Sequence, residues 1–247
     1  MKIVGRTVKG PVRALNEDAY FIDEKKSILA VADGMGGHFG GAVASQLAVT
    51  IIAEYFAQFR NNDITEAEKS IQEVFQIINK KIKEQQNKDA NLKEMGTTLT
   101  LGIFAGENLF IGHLGDSRAY VFRANKLLKL TQDHTYVAKM VSQGIITEED
   151  ALSHPYRHLL LKALDGANEE VDIVKFQVHP QDLYLFCTDG LLDGIKEAEL
   201  DEFLKKNQTM AIENLADELI RQALLKGSRD NITVVLARFE EEREVKK

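Results

Sequence analysis

The stretch Ile28-Leu-Ala-Val-Ala-Asp-Gly-Met-Gly-Gly-His-Phe-Gly-Gly41 predicts a buried strand, a glycine-rich loop and the start of a long helix. The loop departs from both common phosphate-binding patterns. A dinucleotide fingerprint needs glycine where Phe39 stands, and a P-loop needs lysine where Ala42 stands. Asp33, directly before the loop, would also repel a bare phosphate. The glycines are better explained as letting backbone carbonyls and water approach a metal ion.

Two further aspartates stand at the ends of apolar runs, as Asp33 does. The run 183–188 ends at Asp189, and Asp230 comes shortly before the run 232–237. If the last strand is antiparallel to the other two, all three carboxylates meet at one edge of the sheet. Such a cluster needs a cation to stay ionised, and oxygen ligands without cysteine favour Mg²⁺ or Mn²⁺. Asp-Gly is also a common turn dipeptide, so any one of these aspartates alone would indicate only a turn.

An arginine and two acidic residues form a second group, Arg13-Ala-Leu-Asn-Glu-Asp18. The arginine could hold a phosphate while the two carboxylates hold a metal ion or its waters. The same spacing is found in ordinary charged surface turns, so this group supports a phosphate site only together with the other aspartates.

Composition and cysteine content exclude several classes of protein. The 247 residues carry 38 acidic and 31 basic side chains, and the formal net charge of -7 disfavours a general nucleic-acid binder. Cys187 is the single cysteine, which rules out a disulfide framework. A cysteine phosphatase would need arginine six positions later, where Asp193 stands. The sequence also lacks a Gly-x-Ser-x-Gly elbow and a His-Glu-x-x-His zinc motif.

The hydrophobic pattern predicts the order strand, two helices, a run of strands, helices and a final strand. The two helices carry apolar residues at helical spacing from Ala44 to Phe59 and from Ile64 to Ile82. This order lacks the regular alternation of a parallel sheet and predicts antiparallel sheets with helices packed outside. The segment 131–170 is inserted between strands, as functional flaps often are. No apolar run approaches a membrane span and the N-terminus has no signal-peptide core, so we expect a cytoplasmic protein without membrane contact.

Seven motifs together resemble those of the bacterial metal-dependent Ser/Thr protein phosphatases of type 2C, the PPM family, in their order and spacing. The motifs are Arg13-x-x-Asn-Glu-Asp18, Asp33-Gly-Met-Gly-Gly37, Gly96-Thr-Thr98, Gly115-Asp-Ser-Arg118, Thr131-Gln-Asp-His134, Cys187-Thr-Asp-Gly190 and Ser228-Arg-Asp-Asn-Ile232. The resemblance implies an α+β fold, a four-layer αββα sandwich of two antiparallel sheets flanked by helices. Residues 1–240 would form a single catalytic domain with 131–170 as its flap, and 241–247 would form a charged tail.

The resemblance also implies two Mn²⁺ or Mg²⁺ ions, with a possible third, in a cleft at one end of the sandwich. Asp33 would bridge the two ions, and the carbonyl of Gly34 would bind one of them. Asp189 and Asp230 would hold the first ion.

The remaining site residues follow from the same resemblance. Glu17 and Asp18 would serve the second ion, directly or through water. Asp116 would share the third ion with Asp189. Arg13 would bind the phosphate of the substrate.

The implied reaction is hydrolysis of phosphoserine and phosphothreonine in proteins, in opposition to Hanks-type kinases. A water bridging the cations would attack phosphorus as hydroxide, with Arg13, Asp33 and Asp189 as the catalytic residues. No covalent phosphoenzyme is expected, in agreement with the missing nucleophile. The expected partners are phosphorylated proteins and a cognate Ser/Thr kinase, and the chain is expected to be a monomer that binds no nucleic acid.

Two positions depart from the family pattern. Met35 stands where eukaryotic members have a histidine that protonates the leaving group, so we expect a metal-bound water in that role. The flap reads Arg157-His-Leu-Leu-Leu-Lys162 where bacterial relatives often read Arg-Asn-x-Leu-Thr-Arg, which leaves its substrate contacts open.

Two other functions stay open, a catalytically dead pseudophosphatase and a two-metal nuclease. The full set of carboxylates speaks against the first function. The lack of a basic surface speaks against the second.

Overall fold

The computed structural model describes residues 1–37, 39–59 and 66–239. In chain order, the strands are β1 (Lys2–Val8), β2 (Asp18–Asp23), β3 (Ile28–Met35), β4 (Gly96–Thr97), β5 (Leu99–Ala105), β6 (Asn108–Leu114), β7 (Arg118–Arg123), β8 (Lys126–Lys129), β9 (Asp172–Gln177), β10 (Leu183–Cys187) and β11 (Ile232–Arg238). The helices are α1 (Gly40–Ala57), α2 (Ala67–Lys88), α3 (Tyr136–Ser142), α4 (Glu148–Ser153), α5 (Asp189–Gly194), α6 (Glu197–Lys206) and α7 (Ile212–Leu225).

The strands form two antiparallel sheets. The first has the order β1-β11-β10-β7-β8, and the second has the order β2-β3-β5-β6-β9, with β4 paired to β3. An apolar layer that includes Val31 and Phe186 packs between the sheets. A second layer joins the outer face of the second sheet to α1 and α2, and a third joins the first sheet to α5, α6 and α7. These layers confirm the predicted αββα sandwich.

Strand β3 lies in the middle of this arrangement. Leu29 and Val31 face the other sheet, whereas Ile28, Ala30 and Ala32 face the helices. Because both faces are buried, the run is apolar throughout and does not alternate with polar residues. The strand continues to Met35, so Asp33 and Gly34 lie within it and not after it.

The prediction that the three aspartates meet at the edge of one sheet was wrong in one respect. β10 and β11 are antiparallel neighbours, as expected, and bring Asp189 and Asp230 to the same end. β3 belongs to the other sheet, because it pairs with β2 and β5. The carboxylates therefore converge from both sheets at one end of the sandwich.

Most predicted elements are present, and three strands were missed: β1, β2 and the two-residue β4. β1 pairs with β11 over seven residues, and β2 pairs with β3 over six. The tail 241–247 and the start of the predicted second helix at Ile64 lie outside the described residues. The division into a domain 1–240 and a tail stays a prediction.

Helix α1 is long and apolar enough, by length and composition, to cross a membrane, with a mean hydropathy of 1.2 over 18 residues. This run was not predicted from the sequence. Half of this helix is buried, and its residues Ala48, Ile52 and Phe56 pack in the core layer beneath the second sheet. This burial is typical of the core helix of a domain.

Candidate metal centre

One end of the sandwich opens into a cleft of about 410 Å³. Both sheets, the loop before β2 and the flap segment contribute to its lining, which consists of Arg13, Glu17, Asp33, Gly34, Met35, Gly36, Thr98, Asp116, His158, Leu160, Asp189 and Asp230. Among the predicted site residues, Asp18 alone is not in the lining. It lies opposite Asp33 in the β2–β3 register, and 8% of its surface is exposed.

Two threonines fix the backbone of Asp33. Its N–H donates to Thr98 Oγ1 (3.0 Å), and its carbonyl accepts from the Thr98 N–H (2.9 Å) and from Thr97 Oγ1 (2.9 Å). Burial, followed by the charges of Asp18 and Asp189, raises the pKa of Asp33 well above its usual value. An ionised Asp33 therefore needs positive charge beside it.

Asp189 and Asp230 reach the cleft from adjacent strands. Asp189 is the first residue of α5 and follows the last residue of β10 by two positions, and Asp230 precedes the first residue of β11 by two positions. Asp230 Oδ2 accepts a hydrogen bond from Arg13 Nη2 at 2.5 Å. Arg13, which is predicted to bind the substrate phosphate, is thus paired with Asp230, which is predicted to bind a metal ion.

Asp116 lies in the turn between β6 and β7. Burial, then the charges of Asp189 and Asp133, raises its pKa to about 7. The nearby Arg118 does not neutralise the cleft, because it pairs with Asp133 (2.6 Å) and Glu197 (3.0 Å) instead.

The glycines around Asp33 allow close backbone packing. A Cβ on Gly34 would lie 2.1 Å from the Gly41 carbonyl oxygen and 2.6 Å from that of Glu17. A Cβ on Gly41 would lie 2.6 Å from Glu17 Oε1. These two glycines therefore make room for Glu17 beside Asp33, a role that the sequence interpretation did not include.

The donor set fits a divalent cation by burial and chemistry. Among the described residues, the side-chain oxygens Glu17 Oε1 and Asp18 Oδ1 are buried without a hydrogen-bond partner. Asp18 Oδ2 accepts from Thr188 Oγ1 at 2.8 Å, and burial above all raises the pKa of Asp18 to about 7. Carboxylate oxygens that cluster and lack donors suit Mg²⁺ or Mn²⁺.

The same side chains are not arranged as a closed coordination sphere. Within the described ranges, no three acidic, histidine or cysteine side chains surround a common ion position. Cation binding would therefore bring these carboxylate oxygens closer together than they lie here.

Sequence reasoning missed three residues of the lining. Thr98 was noted only as part of a motif, and its contact with the Asp33 backbone could not be read from spacing. Leu160 and His158 belong to the flap. The departure of the flap from the family pattern is the sequence feature that could have pointed to them. His158 Nδ1 lies 3.7 Å from Asp189 Oδ2, and this contact raises the pKa of His158.

Comparison with known families assigns the chain. The family model described as protein phosphatase 2C matches residues 12–226. This chain belongs to the protein phosphatase 2C family. The assignment confirms the resemblance found in the motifs and the predicted class of hydrolase.

Serine/threonine phosphatases are similar to it along nearly the whole chain. Serine/threonine phosphatase stp of Listeria innocua is 38% identical over 237 residues, which are 94% of this chain and 93% of that protein. Serine/threonine protein phosphatase PstP of Mycobacterium tuberculosis is also 38% identical over 237 residues, or 96% of this chain. The match covers 45% of PstP, so the chain spans less than half of that relative.

A solved structure supports both the fold and the kind of metal. The crystal structure of a PstP catalytic domain in complex with 2 manganese ions superposes with a TM-score of 0.84 at 36% identity. The superposition covers 95% of this chain and 96% of that one. The roles of the individual residues in this chain stay predictions.

Proposed function

We propose that this chain is a metal-dependent phosphatase that hydrolyses phosphoserine and phosphothreonine in proteins. The observation that carries the proposal is the convergence of carboxylates from both sheets beside one arginine, with Glu17 Oε1 and Asp18 Oδ1 buried and unpartnered among the described residues. The names of its relatives, serine/threonine phosphatases, support the choice of substrate.

The cations we propose are two Mn²⁺ or Mg²⁺ ions, with a possible third. Asp33 would serve both of the first two ions, and the Gly34 carbonyl would bind one of them. Asp189 and Asp230 would hold the first ion, and Glu17 and Asp18 would serve the second. Asp116 and Asp189 would hold the third ion. Manganese is supported by the PstP complex, and Mg²⁺ by the hard oxygen donors.

When bound, the ions supply positive charge for the phosphoryl oxygens and acidify a water molecule. Arg13 binds the phosphate through its guanidinium, which suits two phosphoryl oxygens at once. Asp33, within β3, and Asp189, the first residue of α5, would present their carboxylates to the ions from the two sheets. Met35 lines the cleft with a thioether that has no proton to donate, so the proton for the departing alkoxide comes from water.

The charge of the cleft makes the phosphatase strictly dependent on cations. Acidic side chains dominate the lining, and Arg13 is already paired with Asp230. A dianionic phosphate would meet net negative charge there unless cations were bound. We therefore expect both substrate binding and turnover to be lost with a chelator.

The wider biological setting is also part of the proposal. We infer a cytoplasmic monomer with a signalling role that opposes a Hanks-type Ser/Thr kinase and acts on phosphorylated proteins. The acidic composition is consistent with phosphorylated proteins as the substrates and gives no reason to add a nucleic-acid partner.

The test is phosphate release from a phosphothreonine peptide with Mn²⁺ and with a chelator. We expect the native chain to turn over with Mn²⁺ and not with the chelator, and Asp33→Asn to show no turnover. Glu107→Gln makes an equal change of charge in an exposed turn and should keep the native turnover. Peptide binding without turnover would favour a pseudophosphatase. Hydrolysis of DNA would favour a nuclease, and equal turnover by Asp33→Asn would overturn the proposal.

A further inference from the structure

The side chain of Asn231 joins three points of the loop that carries Arg13. Its Oδ1 accepts from the Glu17 N–H at 2.8 Å, and its Nδ2 donates to the carbonyls of Lys9 (2.8 Å) and Leu15 (2.9 Å). Asn231 is 4% exposed. The partners fix the orientation of the amide, because a flipped amide would face one donor with a donor and two acceptors with an acceptor.

The segment held in this way crosses from one sheet to the other. It leaves β1 of the first sheet after Val8 and enters β2 of the second sheet at Asp18. Residues 11–15 are exposed, and Arg13 lies in the middle of them. An exposed turn with little packing of its own samples many conformations unless its ends are fixed. One amide group fixes both ends, at Lys9 and Leu15.

Backbone and charge contacts seat the same loop on the residue next to Asn231. Gly10 has a φ of 72°, and a Cβ there would lie 2.1 Å from the Asp230 carbonyl oxygen. The Asp230 carboxylate receives Arg13. The loop therefore contacts three groups of the dipeptide Asp230-Asn231, namely the Asp230 carbonyl, the Asp230 carboxylate and the Asn231 side-chain amide.

The far end of the loop carries Glu17, whose backbone is held on both sides. Its N–H donates to Asn231, and its carbonyl accepts from the Gly34 N–H (3.1 Å) and from Ser45 Oγ (2.5 Å). Asn231, directly before β11, is thus linked through Glu17 to Gly34 near the end of β3. A shift of Asn231 would move both Arg13 and Glu17.

We propose that Asn231 is a positioning residue that holds Arg13 at the place where the substrate phosphate binds. The inference rests on the proposed phosphatase function. We call the three hydrogen bonds of the Asn231 side chain the clamp. Loss of the clamp leaves Arg13 present but mobile, so the phosphopeptide binds less well. Since displacement of a binding group by about 1 Å costs up to about 100-fold, we expect kcat/KM to fall by about 10- to 100-fold, mainly through KM.

The test is a double-mutant cycle between Asn231→Asp and Arg13→Ala. Asn231→Asp keeps the shape and the acceptor for Glu17 but faces two carbonyls with an anionic oxygen. If Asn231 acts through Arg13, Asn231→Asp lowers kcat/KM in the native background and changes it little in the Arg13→Ala background. Equal losses in the two backgrounds would show a general structural role and overturn the proposal.

Hydrogen exchange of the backbone amides of Gly10 and of residues 12–17 gives a readout that does not need activity. Asn231→Asp should speed this exchange, and the matched change Asn207→Asp should not, because Asn207 Nδ2 donates to the Phe203 carbonyl away from the cleft. Unchanged exchange in the loop contradicts the clamp, whatever the activity. Accelerated exchange in a chain without phosphatase activity would instead reject the proposed function alone.

A second variant covers the case in which Asn231→Asp does not fold. Gly10→Ala places a Cβ against the Asp230 carbonyl and strains a positive φ, so it lifts the loop while leaving the amide of Asn231 in place. It should show the same rise in KM and the same dependence on Arg13. A folded Gly10→Ala variant with native kinetics would refute the seating of the loop.

Discussion

Asp18 offers the sharpest test of the electrostatics of the cleft. Burial, opposed by the hydrogen bond from Thr188, raises its pKa from 3.8 to about 7, and Oδ1 has no partner among the described residues. The folded chain therefore binds this proton more tightly than the unfolded chain does. The stability that Asp18 contributes is complete below about pH 4 and is lost as the pH rises to about 7.

The magnitude follows from the size of this shift. A rise of the pKa from 3.8 to about 7 means that the ionised carboxylate destabilises the fold by about 4 kcal/mol above pH 7. Asp18→Asn removes the charge and can keep its oxygen on Thr188 Oγ1. A new amide N–H group left without an acceptor would offset about 2 kcal/mol of this. The net gain of about 2 kcal/mol corresponds to a rise in Tm of about 4–8 °C for a domain of this size.

The assay is thermal unfolding of chelator-treated protein at pH 5 and pH 8. Asp18→Asn should raise Tm at pH 8 and leave it equal or slightly lower at pH 5, whereas Glu107→Gln should change it at neither pH. Added Mn²⁺ should raise Tm at pH 8 more for the native chain than for Asp18→Asn, because binding stabilises by mass action. A variant that is destabilised equally at both pH values would refute the reasoning.

Three further predictions concern other parts of the molecule. Arg13→Ala should raise KM for a phosphopeptide at least about tenfold in phosphate-release kinetics, and an unchanged KM would remove Arg13 from substrate binding. Gly34→Ala places a Cβ 2.1 Å from the Gly41 carbonyl oxygen, so calorimetric titration with Mn²⁺ should show weakened binding or an unfolded chain; native affinity would contradict that packing. Arg123→Ala leaves the buried Asp182 without its ion pair (2.6 Å) and should lower the free energy of unfolding in urea by about 2–3 kcal/mol while the folded fraction keeps its activity; a change below about 0.5 kcal/mol would count against this pair.

Sequence reasoning located the acidic residues of the cleft because each stands beside a strong local signal. Asp33, Asp189 and Asp230 adjoin apolar runs, and the family motifs added Glu17, Asp18 and Asp116. The assignment of β3 to the second sheet could not be read in this way, because strand pairing is set by contacts between distant segments. The same limit hid the opposition of Asp18 and Asp33 across the β2–β3 pair.

Strand β1 shows why a regular element can be missed. Its sequence is interrupted by Gly5, which weakens a strand pattern when it is considered alone. In the fold, a Cβ on Gly5 would lie 2.3 Å from the ring of Tyr20, so the glycine makes room for a side chain of β2. The reason for the glycine is a contact with a later strand, which local patterns do not contain.

Asn231 was overlooked for a different reason. It belongs to the motif 228–232, in which the neighbouring Asp230 is the residue with an evident chemical role. Its three hydrogen bonds reach residues more than 200 positions earlier in the chain, and only the folded arrangement of β11 beside the β1–β2 loop brings them together.

The central claim is that the cleft holds divalent cations on this set of carboxylates. Anomalous diffraction at the manganese absorption edge, from crystals grown with Mn²⁺, tests it most directly. The account predicts two strong peaks in the cleft, both beside Asp33, with Asp189 and Asp230 at one and Glu17 and Asp18 at the other. A cleft without anomalous density at saturating Mn²⁺, or peaks confined to other acidic surfaces of the chain, would contradict the account.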